Sequence, residues 1–268
     1  MMPTPSSDVK PAPGAGLVDA HFHAFPLTST GAPGARYVPA YAAPLADWVA
    51  ATAPHGVTQG VLVQPSFLGT DNTHLLRLLA EQAGRLRGVV VVAPDISMVE
   101  LERMQALGVR GVRLNLVGGD HRLGAEWHPL FERLERLDWH VQVHTDHGRL
   151  AEVLARIPQA LTVVADHFGK PAAASELEAL APAQRDRLHV KLSAPYRLAA
   201  GCVATALLSR WLDLIGPGRL MWGSDWPCTA HEHARDASTS PAWLEDAAGT
   251  SGTLEALRAG NARRLYRF

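Results

Sequence analysis

Cysteine is scarce in this sequence: Cys202 and Cys228 are the two in 268 residues. They lie far apart and without ligand-type spacing, so neither a disulfide framework nor a cysteine zinc site is indicated, and a reducing cytoplasm is the expected compartment. No run of eighteen apolar residues occurs, which argues against a membrane-spanning helix. Neither sign of charge is in excess, with 25 basic and 26 acidic side chains and a net charge of −1. That balance points away from nucleic acid or a membrane surface as a partner. The start of the chain lacks the basic residues and apolar stretch of a secretory signal. Residues 1–16, rich in Pro, Ser, Gly and Ala, read as a flexible tail. Gly118-Gly119 and Gly69-Thr70-Asp71-Asn72 lack the surrounding pattern and the lysine of a phosphate loop.

What the chain does have is alternation. From Leu17 onward, short apolar runs alternate eight times with longer helix-like segments, as in a parallel sheet of the α/β class. The runs are 17–24, 58–65, 86–94, 109–116, 140–146, 161–169, 188–195 and 220–228. Most are continuously apolar, as strands buried on both faces are. Between them, 72–85 carries Leu75, Leu76, Leu78 and Leu79 at helical spacing, and 129–137 carries Leu130, Leu134 and Leu137. Asp71 or Thr70 is a candidate cap for the first of these helices, and Ser97 for the one after it. A length near 250 residues is usual for one (β/α)8 barrel, so residues 17–268 are expected to form a single domain.

Nearly every run turns polar at its C-terminal end: His21 and His23, Gln64 and Ser66, Asp95, Arg113 and Asn115, His144 and Asp146, Asp166 and His167, Lys191 and Ser193, Ser224 and Asp225. A doubly wound sheet gathers functional groups at one switch point, whereas a closed barrel turns all eight strand ends toward one cavity. The barrel therefore explains the pattern better. His21 and His23, two apart on a strand, share a face. With His144 and Asp225 they make four N/O donors, a mononuclear zinc-type set with room for water. His167 is either a fifth ligand or a free general acid. Arg113, on the same face as Asn115, suits bidentate binding of a substrate carboxylate. Arg110 and Lys191 read equally as structural ion-pair partners. His231-Glu232-His233 reads as a solvated loop, and His55, His74, His121, His128, His140, His147 and His189 as surface or helix-end residues.

Several motifs carry a family likeness: Asp19-Ala20-His21-Phe22-His23, Val63-Gln64-Pro65-Ser66-Phe67-Leu68-Gly69-Thr70-Asp71-Asn72, Arg110-Gly111-Val112-Arg113-Leu114-Asn115, Asp166-His167-Phe168-Gly169-Lys170-Pro171, Lys191-Leu192-Ser193-Ala194-Pro195-Tyr196-Arg197 and Trp222-Gly223-Ser224-Asp225-Trp226-Pro227. Through these, the chain resembles the amidohydrolase superfamily, in the branch of 2-pyrone-4,6-dicarboxylate lactonase and the sugar-lactone hydrolases and isomerases. The resemblance implies a distorted (β/α)8 TIM barrel in which Asp225 activates water and His21, His23 and His167 surround the reacting carbonyl. It implies that Arg113, Ser66, Tyr196 and Arg197 hold a substrate acid. The branch contains metal-free and zinc-dependent members, and His144 is the ligand that zinc-dependent relatives use, which favours a divalent metal, zinc first. Two departures stand out. Val117-Gly118-Gly119-Asp120 follows where dicarboxylate-specific relatives carry a further basic residue, which counts against two-carboxylate recognition, and Cys228 replaces a histidine common after the Trp-Pro.

The expected activity is hydrolysis of a small anionic lactone from aromatic or sugar-acid breakdown. The alternatives are a metal-dependent decarboxylase of an aromatic or muconate-type acid, a lactone isomerase, and last a non-catalytic binding barrel.

Overall fold

The computed structural model describes residues 16–268 except positions 29 and 120. The expected tail over 1–16 therefore lies, but for Gly16, outside the described residues. Eight strands follow in chain order: β1 (Leu17–Phe22), β2 (Val57–Val63), β3 (Leu86–Val90), β4 (Val109–Asn115), β5 (His140–His144), β6 (Val163–Ala165), β7 (Leu188–Leu192) and β8 (Leu220–Trp222). Each pairs in parallel with the next, and their spatial order is their sequence order. The strands begin within two residues of the positions expected from the sequence and end earlier. Past β6, β7 and β8 the backbone enters the left-handed region at His167 (φ 53°), Ala194 (φ 50°) and Asp225 (φ 56°), which strand geometry does not allow.

The barrel closes between β1 and the segment after β8. His23 N–H donates to the Trp226 carbonyl and Asp225 N–H to the His21 carbonyl, both at 2.8 Å. The seam needs glycine at 223, because a Cβ there would come within 2.7 Å of His21 Cβ and 2.9 Å of its backbone nitrogen. Asp19 secures the seam from below. Its carboxylate accepts from Ser224 Oγ at 2.6 Å, Ser224 N–H at 2.9 Å and Trp48 Nε1 at 2.9 Å.

Apolar packing fills two layers. Val18, Ala20, Val61, Val63, Val89, Val164 and Met221 form a cluster with Ala259, Ala262 and Tyr266 from the C-terminal helical segment. The larger cluster lies between the sheet and the helices. The helix Thr73–Glu81 contributes Leu75, Leu76, Leu78 and Leu79 to it, and His128–Arg136 contributes Leu130, Phe131 and Leu134, the faces predicted by their spacing. Ser97 caps the helix Met98–Ala106, its Oγ accepting from Glu100 N–H at 3.2 Å. Asp71 Oδ1 accepts from Thr73 N–H at 3.1 Å, at the start of the helix it was expected to cap. Cys202 and Cys228 are free thiols. Among the described residues no helix is long and apolar enough to cross a membrane.

Candidate active site

At the C-terminal end of the barrel a cavity of about 550 Å³ opens, with His23, His167 and Asp225 on its surface. His21 reaches this region by a local irregularity. Ala20 packs in the cluster of Val18 and Val61, and β1 shifts register against β2 between Asp19 and Phe22. Such a bulge re-aims a side chain. The His21 and His23 rings then meet edge to face with centroids 5.0 Å apart.

Asp225 is where the groups converge. Its Oδ2 accepts from Tyr196 Oη at 2.6 Å and from Arg197 Nε at 3.0 Å. Its Oδ1 faces three imidazoles instead, 3.4 Å from His21 Nε2, 3.5 Å from His23 Nε2 and 3.9 Å from His167 Nε2. Burial alone would raise this carboxyl, but His167 and Arg197 beside it hold it well below the usual range, so Asp225 is ionised at neutral pH. Burial lowers the basicity of His21, His144 and His167, and His21 falls to about 3, so these rings are neutral.

The ring of His23 has a fixed tautomer when neutral. Its Nδ1 lies 2.8 Å from the Val63 carbonyl, which can only accept, so Nδ1 carries the hydrogen and Nε2 is bare. A bare nitrogen thus faces a carboxylate oxygen, and two acceptors at that separation need a proton or a cation between them. His21 Nε2 and His144 Nε2 are also buried without hydrogen-bond partners. Zinc bonds of about 2.0–2.1 Å put tetrahedral ligand edges at roughly 3.4 Å, close to the His21 and His23 distances. The donors therefore fit a divalent ion with nitrogen and oxygen ligands.

The expected set of His21, His23, His144 and Asp225 nevertheless does not gather as one group. Ligand atoms within 4.8 Å of one another come from His21, His167 and Asp225, and separately from His144, Asp166 and His167. His144 sits beside His167, ring centroids 4.8 Å apart, while its Nδ1 lies 3.2 Å from Arg113 Nη2. His167 is thus the ring common to both groups, and its Nδ1 meets Ser193 Oγ at 2.9 Å.

The expected substrate-holding residues all line the cavity, but most are already engaged. Arg113 sends Nε and Nη2 to Asp166 Oδ2 at 3.1 and 3.0 Å. Tyr196 and Arg197 hold Asp225, and Arg197 Nη2 also donates to the Thr229 carbonyl at 2.7 Å. Ser66 opens the short turn after β2, and Asn115 ends β4 with a buried Oδ1 that has no partner.

Some residues were misjudged or overlooked from the sequence. His231 is part of the cavity wall and packs on Tyr196, ring centroids 5.1 Å apart, rather than standing in a solvated loop. The loop that carries it is tied across the mouth, since Tyr37 and Tyr41 both donate to Glu232 Oε1. His121 and His140 are buried instead of lying at the surface, whereas His147 is exposed, as expected, and lines the cavity as well. Lys170 and Arg36 also line the cavity, and no periodicity in the sequence pointed to either. Lys191 is fully buried below the site, with Nζ 2.6 Å from Gln142 Oε1 and 3.4 Å from His21 Nδ1.

The chain is also similar to known proteins. Residues 18–268 match the model of the family described as Amidohydrolase. A 2-pyrone-4,6-dicarboxylate hydrolase from Comamonas testosteroni is 30% identical, the alignment covering 94% of this chain and 90% of the relative. A 4-sulfomuconolactone hydrolase from Hydrogenophaga intermedia is 29% identical over 79% of this chain and 75% of its own length. A crystal structure from Pseudomonas putida, assigned as a 2-pyrone-4,6-dicarboxylic acid hydrolase, superposes with a TM-score of 0.83 at 37% identity, covering 94% of this chain and 97% of the other.

Proposed function

The chain belongs to the amidohydrolase family, and we propose that it hydrolyses a small anionic lactone, with Asp225 taking the proton of the attacking water. The relatives named as lactone hydrolases support the reaction class. The observation that carries the reading is the asymmetry of Asp225, whose Oδ2 is saturated by Tyr196 and Arg197 while Oδ1 faces the imidazoles at the cavity floor. Two donors on Oδ2 fix the carboxylate plane, so one lone pair points toward the position of a water. His23, anchored at Val63, and His21 flank that position. His167, held by Ser193, can direct an N–H at the carbonyl oxygen as negative charge develops there.

A carboxylate held well below its usual range is a weak base toward free water. A divalent metal held by His21, His23 and Asp225 would make up the deficit, because it lowers the pKa of bound water toward about 7 and leaves the Nε2 hydrogen of His167 free for the carbonyl oxygen. Zinc suits the nitrogen and oxygen donors, and we place the enzyme in a reducing cytoplasm with its two thiols free.

The substrate's acid group rests, in this reading, against Ser66, Asn115, Tyr196 and the two arginines, with Arg113 kept rigid by its fork on Asp166. The test is Asp225→Asn, which keeps the Oδ1 acceptor but not its charge. Turnover of a carboxylated lactone is expected to fall by about a thousandfold or more, with thermal unfolding unchanged to within a few degrees. Retained turnover would remove Asp225 from the reaction.

A further inference from the structure

A second cavity lies at the opposite end of the barrel. It measures about 220 Å³ and is walled by strand starts, with His140 opening β5 and His189 second on β7, and by Arg264 and Arg267 of the C-terminal segment. None of these residues has a part in the proposed hydrolysis. The two arginines are exposed and three positions apart, so they share one face of the chain's last helical turn.

The imidazoles are set there by packing. His140 is buried with its ring edge to face against Tyr266, centroids 5.1 Å apart, and it fills the space that Gly111 leaves on β4, where a Cβ would come within 2.5 Å of Nε2. His140 Nε2 and His189 Nδ1 are buried without hydrogen-bond partners. Burial keeps both rings neutral, lowering His140 to about 3 and His189 to about 4, and a neutral imidazole offers one donor and one acceptor. The fixed charge around them is mostly positive. Arg267 pairs with Asp138, the only carboxylate among the described residues of the wall. Among the described residues Arg264 has no carboxylate at ion-pair distance, and its Nη2 donates instead to the Gly218 carbonyl at 2.9 Å and to Asn261 Oδ1 at 2.8 Å. Arg219 and Arg264 both stand close enough to His189 to oppose its protonation.

We propose that this basal cavity binds a free phosphate-type oxyanion, held by Arg264 and Arg267 over the imidazoles of His140 and His189, and that the bound anion fastens the helix Asn261–Tyr266 to the strand starts. Guanidinium groups match the geometry of such an oxyanion and stay charged at every working pH. Hydrogen phosphate also has a hydrogen to donate, so it satisfies an imidazole nitrogen in either tautomer. The volume suits the bare anion, because pockets for organic ligands usually run to about 300–1,000 Å³. The fastening follows from where the groups come from: the arginines belong to the end of the chain and the histidines to β5 and β7. This site is independent of the lactone reading.

Inorganic phosphate is the probe, titrated calorimetrically into the purified full chain in an amine buffer free of other oxyanions. Wild type is expected to bind it with a Kd of about 1 mM or tighter. At about ten times the measured Kd, amide hydrogen exchange across Asn261–Tyr266 is expected to slow by about tenfold. Arg264→Gln is expected to weaken binding by about tenfold or more, and to cut the slowing to about twofold or less at the same phosphate concentration. Should that variant fail to fold, as read by circular dichroism, His189→Leu takes its place with the same expectation. The proposal is overturned if wild type does not bind phosphate, or if exchange across the helix is unchanged by it. It is also overturned if the folded variant binds phosphate as tightly as wild type, the result expected of an anion held in the Asp225 cavity instead.

Discussion

Lys191→Met should stabilise the protein, and by an amount that depends on pH in a direction fixed by the structure. The lysine stands inside the barrel on β7, fully buried, its amine 2.6 Å from Gln142 Oε1 and 4.0 Å from Asp166 Oδ1. Burial lowers its pKa from 10.5 to about 7, and Asp166 offsets only part of that. At about 1.4 kcal/mol per decade, the depression corresponds to about 5 kcal/mol of stability lost to burying the cation. Below pH 7 the amine is charged in both folded and unfolded chains, so the full cost is present. As pH rises from 7 to 10.5, the unfolded chain binds the extra proton, and the cost disappears. Methionine removes the cost but leaves Gln142 Oε1 without its donor, a loss of about 1–3 kcal/mol. The net gain at about pH 6 is therefore about 2–4 kcal/mol, falling to about zero or below at about pH 9.5. Urea unfolding of both proteins at the two pH values measures it. A variant less stable than wild type at pH 6, by as much as at pH 9.5, would refute the reasoning. Retention of so costly a residue 3.4 Å from His21 Nδ1 is the usual trade of stability against an active site, and the variant should also turn over more slowly.

Other expectations follow from single contacts. Tyr196→Phe removes one of the two donors on Asp225 Oδ2, so the depressed carboxyl rises and the acidic limb of kcat/KM against pH moves to higher pH; an unmoved limb would contradict the pairing. Gly223→Ala forces a Cβ against the His21 backbone and should cost about 1–3 kcal/mol in denaturant unfolding together with most activity, whereas a wild-type-like variant would mean the seam is looser than described. Dialysis against a chelator should lower turnover and added zinc restore it, with metal content followed by elemental analysis; full turnover in metal-free protein would confine the reaction to the side chains.

The barrel was legible because its signals are local. Continuous apolar runs bounded by helical periodicity located each strand, and the polar residues closing them named seven residues of the cavity wall: His23, Ser66, Arg113, Asn115, His144, His167 and Asp225. The pairings among these residues were not legible. Arg113 reaches Asp166 across 53 positions, and Tyr196 and Arg197 reach Asp225 across 29 and 28; barrel curvature, not spacing, brings them together. The left-handed turn at 167–170 is equally silent, because three of its four residues are types that rarely adopt it. Arg36 and His231 lie on loops without periodicity, and their place depends on contacts such as Glu232 with Tyr37 and Tyr41. Lys191 read as one of two equal possibilities because its burial inside the barrel is a property of closure.

The central claim is that water adds across a lactone carbonyl with Asp225 as its proton acceptor. It is tested most directly by incubating the enzyme with a carboxylated lactone in heavy-oxygen water and weighing the product. The account predicts substrate plus one water, with one heavy oxygen in the new carboxylate, formed by wild type and lost in Asp225→Asn. A product of unchanged mass, a product lighter by carbon dioxide, or equal labelling by the variant would contradict it.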